Sequence, residues 1–388
     1  MYGDHLAGGD IHFFKMAEAA IAAGHSVNFI GGHALKGHIE RQKIKADTTL
    51  TDRASMARID AGKVRGQAAL FIDYTKRFVR TLLHLSVIGK EDVVYATTDY
   101  WFDTLPAALS RARRKMMIWH MEAPNLGQII RRSRADVDAS RLASLHYWLS
   151  QTISIRVFGL CRWKRLFLVH PDMRAKLLRR GFHDNELKPS SFGVDSEPPA
   201  TPGPVDKIYD AVWIGRVHRQ KGIEDLLATL QHLAKQVPGF KAVIIGKVKA
   251  ELEERIQALG LSSHVDFPGF VSEEKKFELF QASRVFLMPS RFEGSPRVIG
   301  EALICGLPVV AYRVPTYPAV FGDFLRYVDC FDLARFQSEA ESQILEIRAG
   351  RNYLNQLDLV KFKKENSWET TQKGFVQALD ELISEGQT

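Results

Sequence analysis

The sequence predicts an α/β protein of two doubly wound, Rossmann-like domains that face a cleft. Three observations carry this. Short apolar runs rich in β-branched or aromatic residues alternate with helix-length stretches along the chain, the pattern of parallel strands covered on both faces by helices. The stretch Ser196-Glu197-Pro198-Pro199-Ala200-Thr201-Pro202-Gly203-Pro204 holds four prolines and a glycine, so it continues neither a helix nor a central strand and reads as a linker. At 388 residues the chain is long enough for each side of that linker to bury its own core. The expected domains are residues 1–198 and 199–360, with a C-terminal helix in 361–388 packing back toward the first. Ligands of α/β proteins bind in the crevices such sheets leave open.

The first element is a loop at residues 3–9, followed by a helix over 11–23 that Gly24-His25 ends. A doubly wound domain places a central strand before such a loop, so that strand is expected to be missing here, lying in a longer natural chain or replaced by another segment. Strands follow at 26–30, 92–96, 116–119 and 166–169. After the linker come strands at 211–214, 241–245, 265–267, 284–288 and 308–311. Between residues 142 and 160, Leu142, Leu145, Leu149 and Ile153 fall at helical spacing beside Trp148. That stripe either packs on the domain's own sheet or lies on a membrane surface.

Charge divides the chain. Residues 1–195 hold 30 Lys and Arg against 19 Asp and Glu, while the remainder holds 23 against 26. The excess gathers in clusters at 111–115, 131–134, 162–165 and 174–180. These are either solvated helix faces or a surface for anionic lipid or a phosphate-bearing acceptor. No zinc-finger spacing or RNA-binding aromatic signature accompanies them, which argues against nucleic acid. Three cysteines, Cys161, Cys305 and Cys330, form neither a disulfide framework nor a metal cluster, which suits a reducing, cytoplasmic compartment. No run of eighteen apolar residues predicts a membrane-crossing helix, and no secretory signal opens the chain.

Chemistry concentrates in two segments of the second half. In Glu293-Gly294-Ser295-Pro296-Arg297-Val298-Ile299-Gly300-Glu301, Ser295 is a suitable N-cap and Pro296 a suitable first helical residue. Gly306 and Pro308 end the helix, predicting ten residues over 296–305. Its N-terminus would offer amide N–H groups and a positive dipole end to phosphate. Glu293 and Glu301 would lie roughly 12 Å apart, too far to share a proton but suited to gripping one ligand at two places. In Gly215-Arg216-Val217-His218-Arg219-Gln220-Lys221-Gly222, the glycines allow close backbone approach. Arg216 supplies a fork of donors and Lys221 a mobile charge. Two such cations stabilise a departing diphosphate more in the transition state than in the ground state, the service magnesium provides elsewhere, so no metal and no cofactor is expected.

In this order, these residues resemble retaining glycosyltransferase family 4, which has the two-domain GT-B fold. The resemblance rests on Gly215-Arg216 with Lys221-Gly222, on Pro268-Gly269-Phe270, on Pro289-Ser290-Arg291-Phe292-Glu293-Gly294, on Glu293-x7-Glu301-Ala302 and on Gly306-Leu307-Pro308. Weaker echoes are Gly8-Gly9-Asp10, Gly193-Val194-Asp195 and Ser367-Trp368-Glu369. The resemblance implies hexose transfer from a UDP- or GDP-sugar to a saccharide or lipid-linked acceptor, without metal, by front-face substitution with retention. Arg216 and Lys221 would bind the diphosphate, Glu301 the ribose, and backbone around Gly269 and Phe270 the base. Glu293, with the amides after it, would hold the sugar, in a donor-binding stretch of Gly294, Ser295 and Pro296. Gly8, Gly9 and Asp10 would form an acceptor loop, and His120, after the 116–119 strand, would line the cleft. His12, His25 and His33 receive no role. The implied site of action is polysaccharide synthesis at the inner membrane face. The competing functions are a UDP-sugar epimerase of the same fold and a non-catalytic sugar-nucleotide-binding subunit. An oxidoreductase is disfavoured because no Gly-x-Gly-x-x-Gly follows a first strand.

Overall fold

The computed structural model describes residues 8–52, 67–120, 122–131, 141–199, 205–217, 219–246, 250–294 and 296–385. The chain folds as two compact units, one of residues 1–192 with 368–388, the other of residues 193–367.

The first unit begins with helix α1 (Gly8–Ala22). Gly8, Gly9 and Asp10 are thus its first turn and not a preceding loop. The first amides of a helix have no intrahelical partner, so glycine costs little there, and Asp10 complements the dipole. Strand β1 (Asn28–Gly31), helix α2 (His33–Arg41) and strand β2 (Asp47–Leu50) form a separate two-stranded parallel sheet. Next come α3 (Gln67–Leu83), β3 (Val93–Ala96), α4 (Trp101–Leu109), β4 (Arg114–Trp119), α5 (Leu126–Arg131), α6 (Arg141–Gly159), β5 (Trp163–Leu168), α7 (Asp172–Leu178) and β6 (Leu187–Pro189). The last four strands pair in parallel in the order β3-β4-β5-β6. One face of this sheet buries Met117, Trp119, Leu166 and Leu168 against Ile155 and Phe158 of α6. The other buries Met116, Ile118 and Phe167 against Met16 and Ala20 of α1 and Trp368, Phe375 and Leu379 of the C-terminal helix (Trp368–Ser384).

Two sequence expectations change here. Part of the basic excess is internal: Arg114, Lys115, Lys164 and Arg165 are all buried at the starts of β4 and β5. Lys115 Nζ donates to Ala107 O (2.5 Å) and Ser110 O (3.0 Å), capping the end of α4. Lys164 pairs with Glu186 at 2.8 Å, and Arg165 pairs with Glu385. These four cations face neither solvent nor lipid. The apolar stripe of α6 also does not pack on the sheet. Its buried face is Ser144, Ser150, Gln151, Ser154, Ile155 and Phe158, while Leu142, Leu145 and Leu149 are exposed. Small hydroxyl residues let α6 approach α4 closely: Ser154 Oγ accepts from Thr104 Oγ1 at 2.5 Å, and Ser150 Oγ accepts from Trp101 N at 2.9 Å.

The second unit runs β7 (Tyr209–Ile214), α8 (Ile223–Gln236), β8 (Ala242–Ile245), α9 (Ala250–Ala258), β9 (Val265–Gly269), α10 (Glu273–Gln281), β10 (Ser283–Met288), α11 (Arg297–Ile304), β11 (Val309–Tyr312), α12 (Tyr317–Phe321), β12 (Arg326–Val328), α13 (Leu333–Arg348) and α14 (Leu359–Glu365). The sheet order is β12-β11-β10-β7-β8-β9, all parallel. The chain builds outward from β7 to β9, then crosses back to lay β10 on the other side of β7. This is the doubly wound order, and ligands bind where it reverses, beyond the carboxyl ends of β7 and β10.

Candidate active site

Both chemistry-bearing segments of the second half emerge at that reversal. Residues 215–222 follow β7, and residues 289–294 follow β10. Glycine is what lets these loops approach one another. A Cβ on Gly215 would lie 3.0 Å from the Trp213 ring. One on Gly246 (φ +135°), after β8, would overlap Gly215 O. Gly222 (φ +67°) precedes α8 in a left-handed conformation, and a Cβ there would overlap Pro289 O and lie 2.7 Å from Pro289 C.

The two loops are also bonded to each other. Arg291 N donates to Gln220 O (2.9 Å), and Gln220 Nε2 donates to Phe292 O (2.7 Å). Arg291 reaches back to Asp225 in the first turn of α8 at 3.0 and 3.1 Å. On this frame Lys221 Nζ donates to Glu293 Oε1 at 2.5 Å, with both side chains largely buried. Arg216 is exposed in the same loop. Thr316 Oγ1 donates to Glu293 O at 3.2 Å. Tyr317 is fully buried, and its hydroxyl finds no hydrogen-bond partner among the described residues. Burial first, and then the nearby Glu293 carboxylate, push its ionisation far above the usual tyrosine range.

Helix α11 is shorter than predicted. Pro296 is its N-cap, in extended conformation (φ −73°, ψ 105°), and Arg297 is the first helical residue. Ser295 lies outside the described residues, as does His218. At the other end Gly306 is left-handed (φ +66°), and Leu307 N closes onto Ala302 O at 3.0 Å. Glu301, buried in the second turn, is held from two sides. Oε1 pairs with Arg297 Nε at 2.8 Å and Oε2 with Lys276 Nζ at 2.8 Å. The sequence reading missed both cations. Arg297 stands four residues before Glu301, a spacing that puts the pair on one helix face. Lys276 has no local signal. Gly269 (φ +74°) ends β9, accepts from Gly246 N at 2.9 Å and is followed by Phe270, which is 67% exposed.

The remaining sequence candidates lie in the first unit. His120 follows β4, and its ring is 3.7 Å from where a Cβ on Gly9 would stand, so His120 and the first turn of α1 are neighbours. His120 Nε2 lies 3.3 Å from Thr97 O, a carbonyl to which it can only donate. His12, given no role from sequence, is buried edge-on to His120 with ring centroids 6.5 Å apart. Its Nε2 sits 3.0 Å from Ser190 Oγ. Burial and then His120 lower its pKa to about 3, so it stays neutral. Asp99, also buried, accepts from Gln151 Nε2 (2.7 Å) and Tyr147 (3.2 Å), with burial raising its pKa.

An Asp-x-Asp, Asp136-Val137-Asp138, lies outside the described residues. Among the described residues no three His, Cys, Asp or Glu side chains gather as a metal ion requires.

The segments that carry these residues fall within a stretch that resembles known proteins. Residues 200–330 match the family model for glycosyl transferases group 1. An amylovoran biosynthesis glycosyltransferase of Erwinia amylovora is 38% identical over 109 residues, 27% of this chain and 30% of the relative. The matched stretches span between 25% and 42% of the lengths of the curated relatives. Likeness to solved structures covers nearly the whole chain. A sucrose-phosphate synthase of Thermosynechococcus elongatus superposes with a TM-score of 0.68 at 18% identity, covering 99% of this chain and 95% of that one. The Anabaena protein HepE, solved with UDP and glucose, gives 0.67 at 15% identity, covering 98% of each chain. At these identities the likeness shows the fold alone, two parallel α/β units of the GT-B type. Residues 200–330, which hold the Glu293-x7-Glu301 segment, match the glycosyl transferases group 1 model, in keeping with the family 4 resemblance of that stretch.

Proposed function

We propose that the chain is a retaining glycosyltransferase that moves a hexose from a UDP- or GDP-sugar to a saccharide or lipid-linked acceptor. The observation that carries this is the Lys221–Glu293 pair beyond β7 and β10, with Arg216 exposed in the same loop as Lys221. A donor diphosphate would exchange partners with this pair. Its oxygens take Lys221 and Arg216, and Glu293 turns to the hydroxyls of the sugar together with the backbone of Gly294, Ser295 and Pro296. Glu301 accepts from the ribose, and the backbone at Gly269 and Phe270 meets the base. As the anomeric C–O bond to the diphosphate breaks, the two cations stabilise the charge gathering on the leaving oxygens, so no metal is required. The acceptor oxygen bonds to the anomeric carbon on the same face, and its proton passes to a leaving phosphate oxygen.

The acceptor is assigned to the first unit, at His120 and the Gly8-Gly9-Asp10 turn, where His120 Nδ1 can accept from an acceptor hydroxyl. A peripheral contact with anionic membrane fits the same unit. Leu142, Leu145 and Leu149 of α6 are exposed, as are Ile72, Val79 and Leu83 of α3. Cations Lys76, Arg80, Arg141 and Arg156 intersperse them, and the single acid on the two helices, Asp73, is paired with Arg77 at 2.8 Å. No helix among the described residues is long and apolar enough to cross a membrane. The activity is tested by incubating the protein with UDP- and GDP-hexoses and a panel of saccharide and polyprenyl-linked acceptors, with NMR of the product anomer. An inverted anomer contradicts the front-face reading. Nucleoside diphosphate release with none of the acceptors moves a non-catalytic binding role to the front.

A further inference from the structure

We infer that Lys276 and Arg297 are positioning residues that clamp Glu301 so that it reads the vicinal hydroxyls of a ribonucleoside diphosphate. This deepens the donor-site reading and rests on it. Lys276 is a buried lysine, its side chain only 5% exposed, on α10 and not on the helix that carries Glu301. An isolated buried ammonium is costly. Here its charge is met by Glu301 Oε2 at 2.8 Å and by Glu273 Oε2 at 2.7 Å, and its amine lies over the Phe277 ring at 4.6 Å. Glu273 is itself 63% exposed, so the pairing inside the fold is with Glu301.

The consequence lies in the lone pairs. A carboxylate has about four acceptor sites, two on each oxygen. Arg297 Nε takes one on Oε1 and Lys276 Nζ one on Oε2. By that count each oxygen keeps acceptor capacity beyond its cation, enough for the two neighbouring hydroxyls of a ribose. A cation on each oxygen also restrains the carboxylate from rotating, so that both oxygens are held for the ligand together. Removing either cation frees the carboxylate to turn about its remaining anchor, and the two-point reading of the diol becomes a one-point reading.

The test is the preference for UDP over 2′-deoxy-UDP, and for GDP over 2′-deoxy-GDP, measured by isothermal titration. A hydrogen bond to a charged group contributes about 1.5–3 kcal/mol, so the native protein should favour the ribonucleotide at least about tenfold. Lys276→Met and Arg297→Met should each bring that ratio below about threefold, and Lys276→Arg should retain it. A purely structural role would change melting temperature and leave the ratio alone. Arg297, less deeply buried, keeps the test open should Lys276→Met fail to fold. A ratio kept within twofold in the folded Met variants overturns the clamp. A native protein that binds the diphosphates without preferring ribose overturns the ribose role of Glu301, and the clamp with it. Absence of binding by both ribonucleotides overturns the donor site itself.

Discussion

Replacing Gly222 by alanine tests how tightly the donor-side loops are locked. Gly222 sits between Lys221 and α8 at φ +67°, and a Cβ there would overlap the backbone oxygen of Pro289. Two costs add. The left-handed conformation costs alanine about 1 kcal/mol. The overlap is with backbone at the end of β10, which cannot step aside as a flexible side chain would, and such overpacking costs about 1–3 kcal/mol. The sum, about 2–4 kcal/mol, lowers the melting temperature of a unit this size by roughly 4–16 °C. Gly239→Ala is the control. Its φ is also +67°, but nothing lies within 4 Å of its Cβ, so only the conformational cost of about 1 kcal/mol applies, a fall of roughly 2–4 °C. Because the strain falls on the loop that presents Lys221, Gly222→Ala should also weaken nucleoside diphosphate binding, and Gly239→Ala should not. Calorimetric melting of the two variants, followed by titration with UDP and GDP, gives the answer. Equal falls in melting temperature would refute the loop-contact argument.

Three further outcomes follow from the same geometry. Glu293→Gln removes the carboxylate that neutralises Lys221. Nucleoside diphosphate binding should hold or tighten while kcat falls about 100-fold or more, and an unchanged kcat in the transfer assay would remove Glu293 from the chemistry. His12 has a folded pKa of about 3 against 6.5 for the free side chain. A lowered value means that the unfolded chain takes the proton first, so this contribution is complete above pH 6.5 and is lost as pH falls below it. It amounts to about 2 kcal/mol by pH 5. His12→Gln should therefore flatten the loss seen in urea unfolding between pH 7.5 and 5, and an identical slope would contradict the burial argument. Leu142→Ser with Leu149→Ser should cut co-sedimentation with phosphatidylglycerol vesicles; equal binding by native and double variant would remove α6 from the membrane contact.

Much of the second unit was legible because its signals are local. Pro308 and Gly306 mark the end of α11, and the apolar runs at 211–214 and 284–288 fall inside β7 and β10. The strands missed from sequence are Asp47–Leu50, Leu187–Pro189 and Arg326–Val328. Each has only three or four residues and one or no fully buried position, so no apolar run announces it. The basic clusters at 111–115 and 162–165 misled for a different reason. Their partners are helix-end carbonyls and remote carboxylates such as Glu186, and nothing in the local sequence tells a capped cation from a solvated one. The α6 stripe inverted because small polar residues won the buried face: Thr104 and Ser154 meet from 50 positions apart. Distance in sequence also hid Lys276 from Glu301 and His12 from Ser190, while the ordered motif around Glu293 could be read directly.

The measurement that bears most directly on the central claim is isothermal titration of the protein and of Lys221→Ala with UDP and GDP in EDTA. The account predicts that one nucleoside diphosphate binds the native protein without metal. It further predicts that Lys221→Ala weakens that binding about tenfold or more, the loss of one charged hydrogen bond. Binding that Lys221→Ala leaves unchanged, or no binding of either nucleotide by the native protein, would contradict it.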